Sequence, residues 1–171
     1  HPALRDLRPF LWHNYGSDLP KYATELRYTA YLDIADAGAE GALNDNEVYL
    51  RANKSRRQEI RYAAKAGVRT SERFDPDLFR RFYELVFKRQ QLEPAPPTEE
   101  ILGVMRKLDD AGRLRMFVSE TSSGEVGSIA VFGMDMKRAY YLYGANDPAQ
   151  RNNHTGTAVL WDGFRSLSSD T

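Results

Sequence analysis

The sequence predicts an α+β protein, a mixed and mostly antiparallel sheet flanked by helices. Three observations predict it. Strand-like segments at Leu114–Thr121, Val126–Phe132 and Ala139–Tyr143 follow one another across short turns, and such turns join antiparallel neighbours. Two amphipathic helical stretches, starting at Asp75 and Thr98, stand immediately before that block. The 171 residues are 42% hydrophobic and 28% charged, enough apolar material for a core and too much for a disordered chain.

The elements read in order as follows. An aromatic opening, Pro9-Phe10-Leu11-Trp12, runs into turn formers at Asn14-Tyr15-Gly16-Ser17-Asp18. From Leu26 to Ile34 the pattern alternates, with Leu26, Tyr28, Ala30, Leu32 and Ile34 on one parity. Period two reads as a half-buried strand. A loop over 35–41 leads to a helix expected over Asn44–Ala66. Asn44 with Glu47 three residues on fits a capping box, and Gly67 is the natural left-handed stop. Lys54, Arg57, Arg61 and Lys65 are spaced by three and four, so they form one stripe. Ala52, Ile60, Ala63 and Ala64 then turn toward the protein.

Val68–Phe74 reads as a short strand. The next helix opens on Asp75 as N-cap, Pro76 at the first helical position and Asp77 in the first turn, each suited to a helix start. Its apolar face is Leu78, Phe79, Phe82, Leu85 and Val86. Pro94-Ala95-Pro96-Pro97 interrupts, and Thr98 caps another helix with Glu99 and Glu100 in its first turn, where the helix dipole favours acids. Ile101, Leu102, Met105 and Leu108 form its stripe, and Gly112 ends it. After the three strands, 144–156 reads as a polar loop. Thr157–Leu167 reads as a last helix, with Val159, Leu160, Trp161, Phe164 and Leu167 apolar.

Composition excludes several functions. Lys+Arg and Asp+Glu are 24 each, for a net charge of +0, which argues against a globally basic nucleic-acid binder. With no cysteine there is no disulfide, thiolate nucleophile, zinc–cysteine site or iron–sulfur ligation. The 3 histidines are scattered and suggest no metal site. Apolar runs such as Ile129-Ala130-Val131-Phe132 fall far short of the ~20 residues of a membrane span. The first residues lack the apolar stretch of a signal peptide. The chain has no initiator Met, and its sheet ends on a helix without a further partner strand. Both suggest a piece of something longer.

This order and these residues resemble the GNAT superfamily of acyltransferases, and within it the FemAB-like branch that builds peptidoglycan cross-bridges. The resemblance rests on the basic helix Arg56-Arg57-Gln58-Glu59-Ile60-Arg61-Tyr62-Ala63-Ala64-Lys65-Ala66-Gly67-Val68, on Gly127-Ser128-Ile129-Ala130-Val131-Phe132, on Ala139-Tyr140-Tyr141-Leu142-Tyr143-Gly144-Ala145-Asn146-Asp147-Pro148, and on the helix around Leu160-Trp161-Asp162. It covers Lys54 to Leu167. It implies a GNAT-like lobe at 54–171, incomplete at its C-terminal side. Residues 1–53 would be the remnant of a first related lobe and the start of the connecting helix. It also implies an N-acyltransferase with acyl-CoA or aminoacyl-tRNA as donor and no metal. The acceptor would be an amine of a small molecule, or of a glycan or lipid-linked envelope precursor. The location would be cytoplasmic, with the membrane surface as a variant. The superfamily's donor signature is Gln or Arg, two residues, Gly, one residue, then Gly or Ala. The corresponding stretch, Asn152-Asn153-His154-Thr155-Gly156-Thr157-Ala158, keeps one glycine.

The resemblance places the donor at the start of the last helix. Free N–H groups and the helix dipole favour an anion there, and Gly156, with Thr155 and Thr157, lets backbone approach phosphate. A loop glycine before an ordinary helix explains the same residues. Transfer requires a neutral amine, since a free alkyl ammonium has a pKa of ~10, and a donor to the oxyanion. Tyr141 and Tyr143 share one parity, and either is a candidate to protonate a leaving group; packing is the competing role. Asp147, Glu120 and His154 give no grounds for choosing a general base. The stripe Lys54, Arg57, Arg61 and Lys65 would meet tRNA phosphates, a lipid-linked pyrophosphate or an anionic membrane, or be a solvated helix face. Two competing functions stand beside the transferase: a GNAT-shaped binding or scaffold protein without catalysis, and a small RNA-binding module built on the basic helix.

Overall fold

The computed structural model describes residues 30–169 and, before them, two short strands, β1 (Trp12–His13) and β2 (Tyr22–Ala23). The chain divides into two compact units, residues 1–32 and 33–171. In the first, β1 and β2 pair antiparallel, Trp12 opposite Ala23 and His13 opposite Tyr22. Of the strand expected over Leu26–Ile34, residues 26–29 lie outside the described residues. Residues 30–34 are not strand, which corrects that expectation. Alternation alone does not supply a ladder partner, and Tyr31 and Leu32 are exposed. Ile34 instead opens a turn, accepting from Ala37 N–H at 2.8 Å.

The second unit contains the sheet. The single helix expected over Asn44–Ala66 is two: α1 (Glu47–Arg51) and α2 (Lys54–Lys65), after a 3-10 turn at Leu43–Asp45. Asparagines make the break. Asn46 is buried and caps α1, its side-chain oxygen accepting from Tyr49 N–H at 3.0 Å. Its amide donates to the Asp36 and Ala37 carbonyls at 2.8 and 3.2 Å. Asn53 caps α2 by accepting from Arg56 N–H at 2.9 Å. Asn44 lies inside the 3-10 turn, so its capping box with Glu47 does not form. Gly67 does end α2, with φ +73°. The sequence-based boundary at 53/54 falls between α1 and α2, within this unit.

The remaining elements are β3 (Arg69–Glu72), α3 (Pro76–Arg89), α4 (Thr98–Asp110), β4 (Leu114–Glu120), β5 (Val126–Met134), β6 (Ala139–Asn146) and α5 (Thr155–Ser168). Asp75 caps α3 as expected, accepting from Leu78 N–H at 2.9 Å. Thr98 is already helical; Pro97 precedes α4 with no side-chain cap. An ion pair from Arg80 to Glu99 ties the start of α4 to α3. The four strands form one antiparallel sheet in the order β3-β4-β5-β6.

Helices cover both faces, so the central strands are apolar on both parities rather than alternating. On one face Phe79, Phe82, Leu102 and Met105, from α3 and α4, pack with Met116, Val118, Ile129 and Val131. On the other, Val159 and Leu167 of α5 pack with Phe117, Ala130 and Phe132. On the outer side of α5, its Trp161 joins Tyr49 and Ile60 in a third cluster. Each large side chain buried this way contributes about 1.5–3 kcal/mol.

Phe79 has 0% of its surface exposed. Phe79→Ala should therefore lower the unfolding free energy by about 3–5 kcal/mol. The measurement is the urea midpoint at unchanged slope; a loss below about 1 kcal/mol would mean that the α3 face is not the main core.

Candidate active site

The site is built where α5 begins, beside the end of β6 and the first turns of α2. A 3-10 turn at Pro148–Asn153 fills the middle of the expected loop, and α5 starts at Thr155, two residues before the expected Thr157. Asp147 starts that turn, its carboxylate accepting from Ala149 N–H at 2.9 Å. His154 is the N-cap residue in the left-handed region, φ 56° and ψ 26°. Its carbonyl accepts from Thr157 and Ala158 N–H, both at 3.1 Å. Its ring lies 5.7 Å from that of Tyr62 on α2.

Three consecutive residues at this helix start face three different elements. Thr155 is buried, and its hydroxyl shares a 2.7 Å hydrogen bond with the Ser128 hydroxyl on β5. Gly156 leaves room for Asn146 at the end of β6; a Cβ there would lie 2.5 Å from the Asn146 side-chain oxygen. Thr157 donates to the Glu59 carboxylate on α2 at 2.5 Å. Arg56 donates to the same Glu59 oxygen at 2.6 Å, and also reaches the Thr157 hydroxyl at 3.3 Å. Ser55 adds a bond to the other Glu59 oxygen at 3.3 Å. Partial burial acts to raise the Glu59 pKa, but the bonds from Thr157, Arg56 and Ser55 and the Arg56 charge outweigh it and hold the carboxyl below its ordinary 4.5.

Arg56 and Glu59 are absent from the sequence-based site. The basic stripe drew attention to the positions next to them. The available signal was Glu59 itself, the one acid between Arg51 and Arg69. Of the stripe, Lys54, Arg61 and Lys65 are exposed and make no ion pair among the described residues. Arg57 is engaged: its guanidinium donates to the Leu50 carbonyl, in the last turn of α1, at 2.8 Å.

The tyrosine pair is not on one face, which corrects the parity reading. β5 and β6 slip register between Val131 and Phe132, so Val131 faces Tyr143 while Phe132 faces Tyr141. Leu142 is the extra residue, and a β-bulge of this kind reverses side-chain parity. Tyr143 packs on the α3 side, its ring 5.7 Å from Phe79 and 5.7 Å from Tyr83. Tyr141 lies on the α5 side, 5.3 Å from Phe132. Its hydroxyl lies across Gly144, where a Cβ would come within 1.7 Å of it. Desolvation raises the pKa of both phenols, although Tyr141 as a residue is 54% exposed. Glu120 pairs with Arg73 at 2.5 Å. Among the described residues no group of three or more His, Cys, Asp or Glu is placed to hold a metal ion, and no helix is long and apolar enough to cross a membrane.

Residues 51–170 match the family model described as an acetyltransferase (GNAT) domain. The fold is similar to that of a protein solved as the crystal structure of FemX, with a TM-score of 0.64 at 14% identity. The alignment covers 98% of this chain and 56% of FemX, so the chain spans little more than half the length of that protein. No curated protein sequence matches the chain.

The lowered Glu59 pKa fixes the sign of a pH effect. A carboxyl held below its unfolded value adds stability above that value, and the contribution disappears as pH falls through the folded pKa. Between about pH 5 and pH 3 the urea midpoint of the native chain should fall more steeply than that of Glu59→Gln. Parallel curves would mean that the Glu59 bonds do not tie α2 to α5 in solution.

Proposed function

Because the chain belongs to the acetyltransferase (GNAT) domain family, we propose that it carries the acyltransfer lobe of an N-acyltransferase. The donor is acyl-CoA or aminoacyl-tRNA, and the acceptor is an amine of a cell-envelope or glycan precursor. The work takes place in the cytoplasm or at the membrane surface. Residues 1–53 belong, on this reading, to the remnant of a first lobe. The observation that carries the proposal is the juxtaposition of β6 with the start of α5. A strand that can offer backbone donors to a carbonyl lies beside a helix start that can attract an anion.

The chemistry follows from that placement. The amine attacks the acyl carbonyl as its neutral form. A C–N bond forms, and the C–S bond of a thioester or the C–O bond of an ester breaks. The amine gives up a proton, and the leaving thiolate or alkoxide takes one. Tyr141 is the better candidate to supply that second proton. It lies on the β6 face turned toward α5, and at 54% exposure it is open to a substrate. Tyr143 is packed between Phe79 and Tyr83 and acts in the core. Thr155, Gly156 and Thr157 frame the donor's phosphates. Lys54, Arg61 and Lys65 supply the long-range attraction for tRNA or a pyrophosphate-bearing acceptor, while Arg57 holds α1. One observation favours a scaffold without catalysis as the second reading: protein side chains already contact Thr155, Gly156 and Thr157.

Calorimetry with acyl-CoA and filter binding with aminoacyl-tRNA separate the two readings. The transferase reading expects one donor to bind, and Gly156→Val to weaken it at least about tenfold, about 1.4 kcal/mol, because a side chain at Gly156 meets Asn146 and so spreads the end of β6 from the start of α5. Binding of neither donor, or equal binding by the variant, supports the scaffold. Tyr141→Phe should leave donor binding intact and lower the turnover rate by about 10²-fold or more; unchanged turnover removes Tyr141 from the chemistry. Charge reversal at Arg61 and Lys65 should reduce the log–log salt slope of tRNA binding by ~0.7 per lost contact. An unchanged slope would make the stripe a solvated face.

A further inference from the structure

We infer that a cavity between α2, α5 and the 39–46 loop is a binding site for a small molecule that carries an α-carboxylate beside an N–H donor and a compact aliphatic side chain. The site is separate from the acyl-transfer chemistry. Its volume is about 280 Å³, at the small end of ligand pockets. Ile60 and Ala63 of α2 and Ala158 of α5 give it an apolar wall, and all three are buried. Alanines at Ala63 and Ala158 leave the space open between two helices that otherwise pack closely.

The side chains of Trp161, Asp162 and Arg165 at this cavity have no hydrogen-bond or ion-pair partner among the described residues, whereas that of Asn46, which also lines it, is bonded on three sides. Trp161 lines it and is only 7% exposed. Its ring meets Tyr49 edge-on at 5.8 Å, but its indole N–H makes no hydrogen bond among the described residues. No side-chain nitrogen or oxygen there is both fully buried and unbonded. The indole N–H therefore keeps some exposed surface, and this cavity is open space that Trp161 lines. A donor with so little access to water is normally bonded, so the Trp161 N–H suits an acceptor that enters the cavity.

Two charges of opposite sign flank it. Asp162 and Arg165 line the same cavity and stand three residues apart on α5, close enough to pair. They form no ion pair with each other or with any other described residue. A ligand carboxylate satisfies the indole N–H and the guanidinium together, since Arg binds carboxylates through a planar fork. The N–H donor beside it satisfies Asp162, and the aliphatic side chain takes the alanine-lined wall. A free α-amino acid and the carboxyl-terminal residue of a peptide share this chemistry.

The test uses the full chain labelled with ¹⁵N. Its 2 tryptophans give two indole N–H signals, and Trp161→Phe assigns one. The probes are L-leucine, N-acetyl-L-leucine and L-leucinamide. The inference expects the Trp161 signal to shift saturably with leucine or with N-acetyl-leucine, and leucinamide to bind at least about tenfold more weakly because its carboxylate is gone. A response to leucine alone identifies a free amino acid; an equal or stronger response to N-acetyl-leucine identifies a peptide carboxyl end. Arg165→Gln should weaken the bound probe about tenfold or more, and so should the cavity-filling Ala63→Leu. Should Ala63→Leu not fold, Arg165→Gln and the leucinamide comparison decide alone. No shift with either carboxylate, or an equal shift with leucinamide, overturns the assignment.

Discussion

The sheet must be covered on both faces, and the rest of the second unit follows from that constraint. Of the nine residues of β5, only Val126 and Met134 at its ends escape full burial. No strand with that sequence is stable with a face in water, because the apolar area left exposed would forfeit its transfer free energy. Two helices must therefore precede β4 and lie on one face, and α5 must return across the other. That return brings the start of α5 beside the end of β6. The candidate site is thus a by-product of covering the sheet.

The second cover, α2 on α5, is held differently. Its apolar part is small: Ile60 of α2 shares one cluster with Trp161, and Ala63 and Ala158 line the cavity beside them. A polar cluster does much of the rest, with Glu59 accepting from Arg56 and Thr157. With the Arg56 side chain 60% exposed, such a cluster contributes in the range of exposed ion pairs, about 0–1 kcal/mol. The arrangement also sets limits on the proposed chemistry. The carboxylate of Glu59 stands at the first turn of α5, so a phosphate arriving there meets a negative charge as well as a guanidinium and a hydroxyl.

Much of the fold was legible because its signals are local. The Asp75–Pro76 start, the Gly67 stop and the three strand-like runs depend on residues near one another in sequence, and the antiparallel block follows from its short turns. The misses have long-range causes. Asn46 breaks the expected long helix because its amide bonds carbonyls in the preceding turn, which spacing does not reveal. Parity puts Tyr141 and Tyr143 on one face because it counts residues and carries no sign of the bulge at Leu142. In the candidate site, the sequence groups Thr155, Gly156 and Thr157 at one helix start, but their different neighbours, Ser128, Asn146 and Glu59, depend on contacts far along the chain. Arg57 looked like a member of the stripe because its bond to Leu50 depends on the break between α1 and α2.

The separation of Glu59 from Thr157, 98 positions along the chain, has a consequence for the order of assembly. The α3–α4 layer and the β4–β5–β6 meander are built from contacts between sequence neighbours, and such contacts close small loops at low entropic cost. The α2–α5 contact closes a loop that contains the whole sheet. Formed first, it would fix the ends of a long flexible segment in return for a few bonds; formed after the sheet, it closes a path already stiff and short. The chain should therefore dock α2 late. Cut from the rest of the protein, α2 would be a 12-residue helix of the length that is marginal in water.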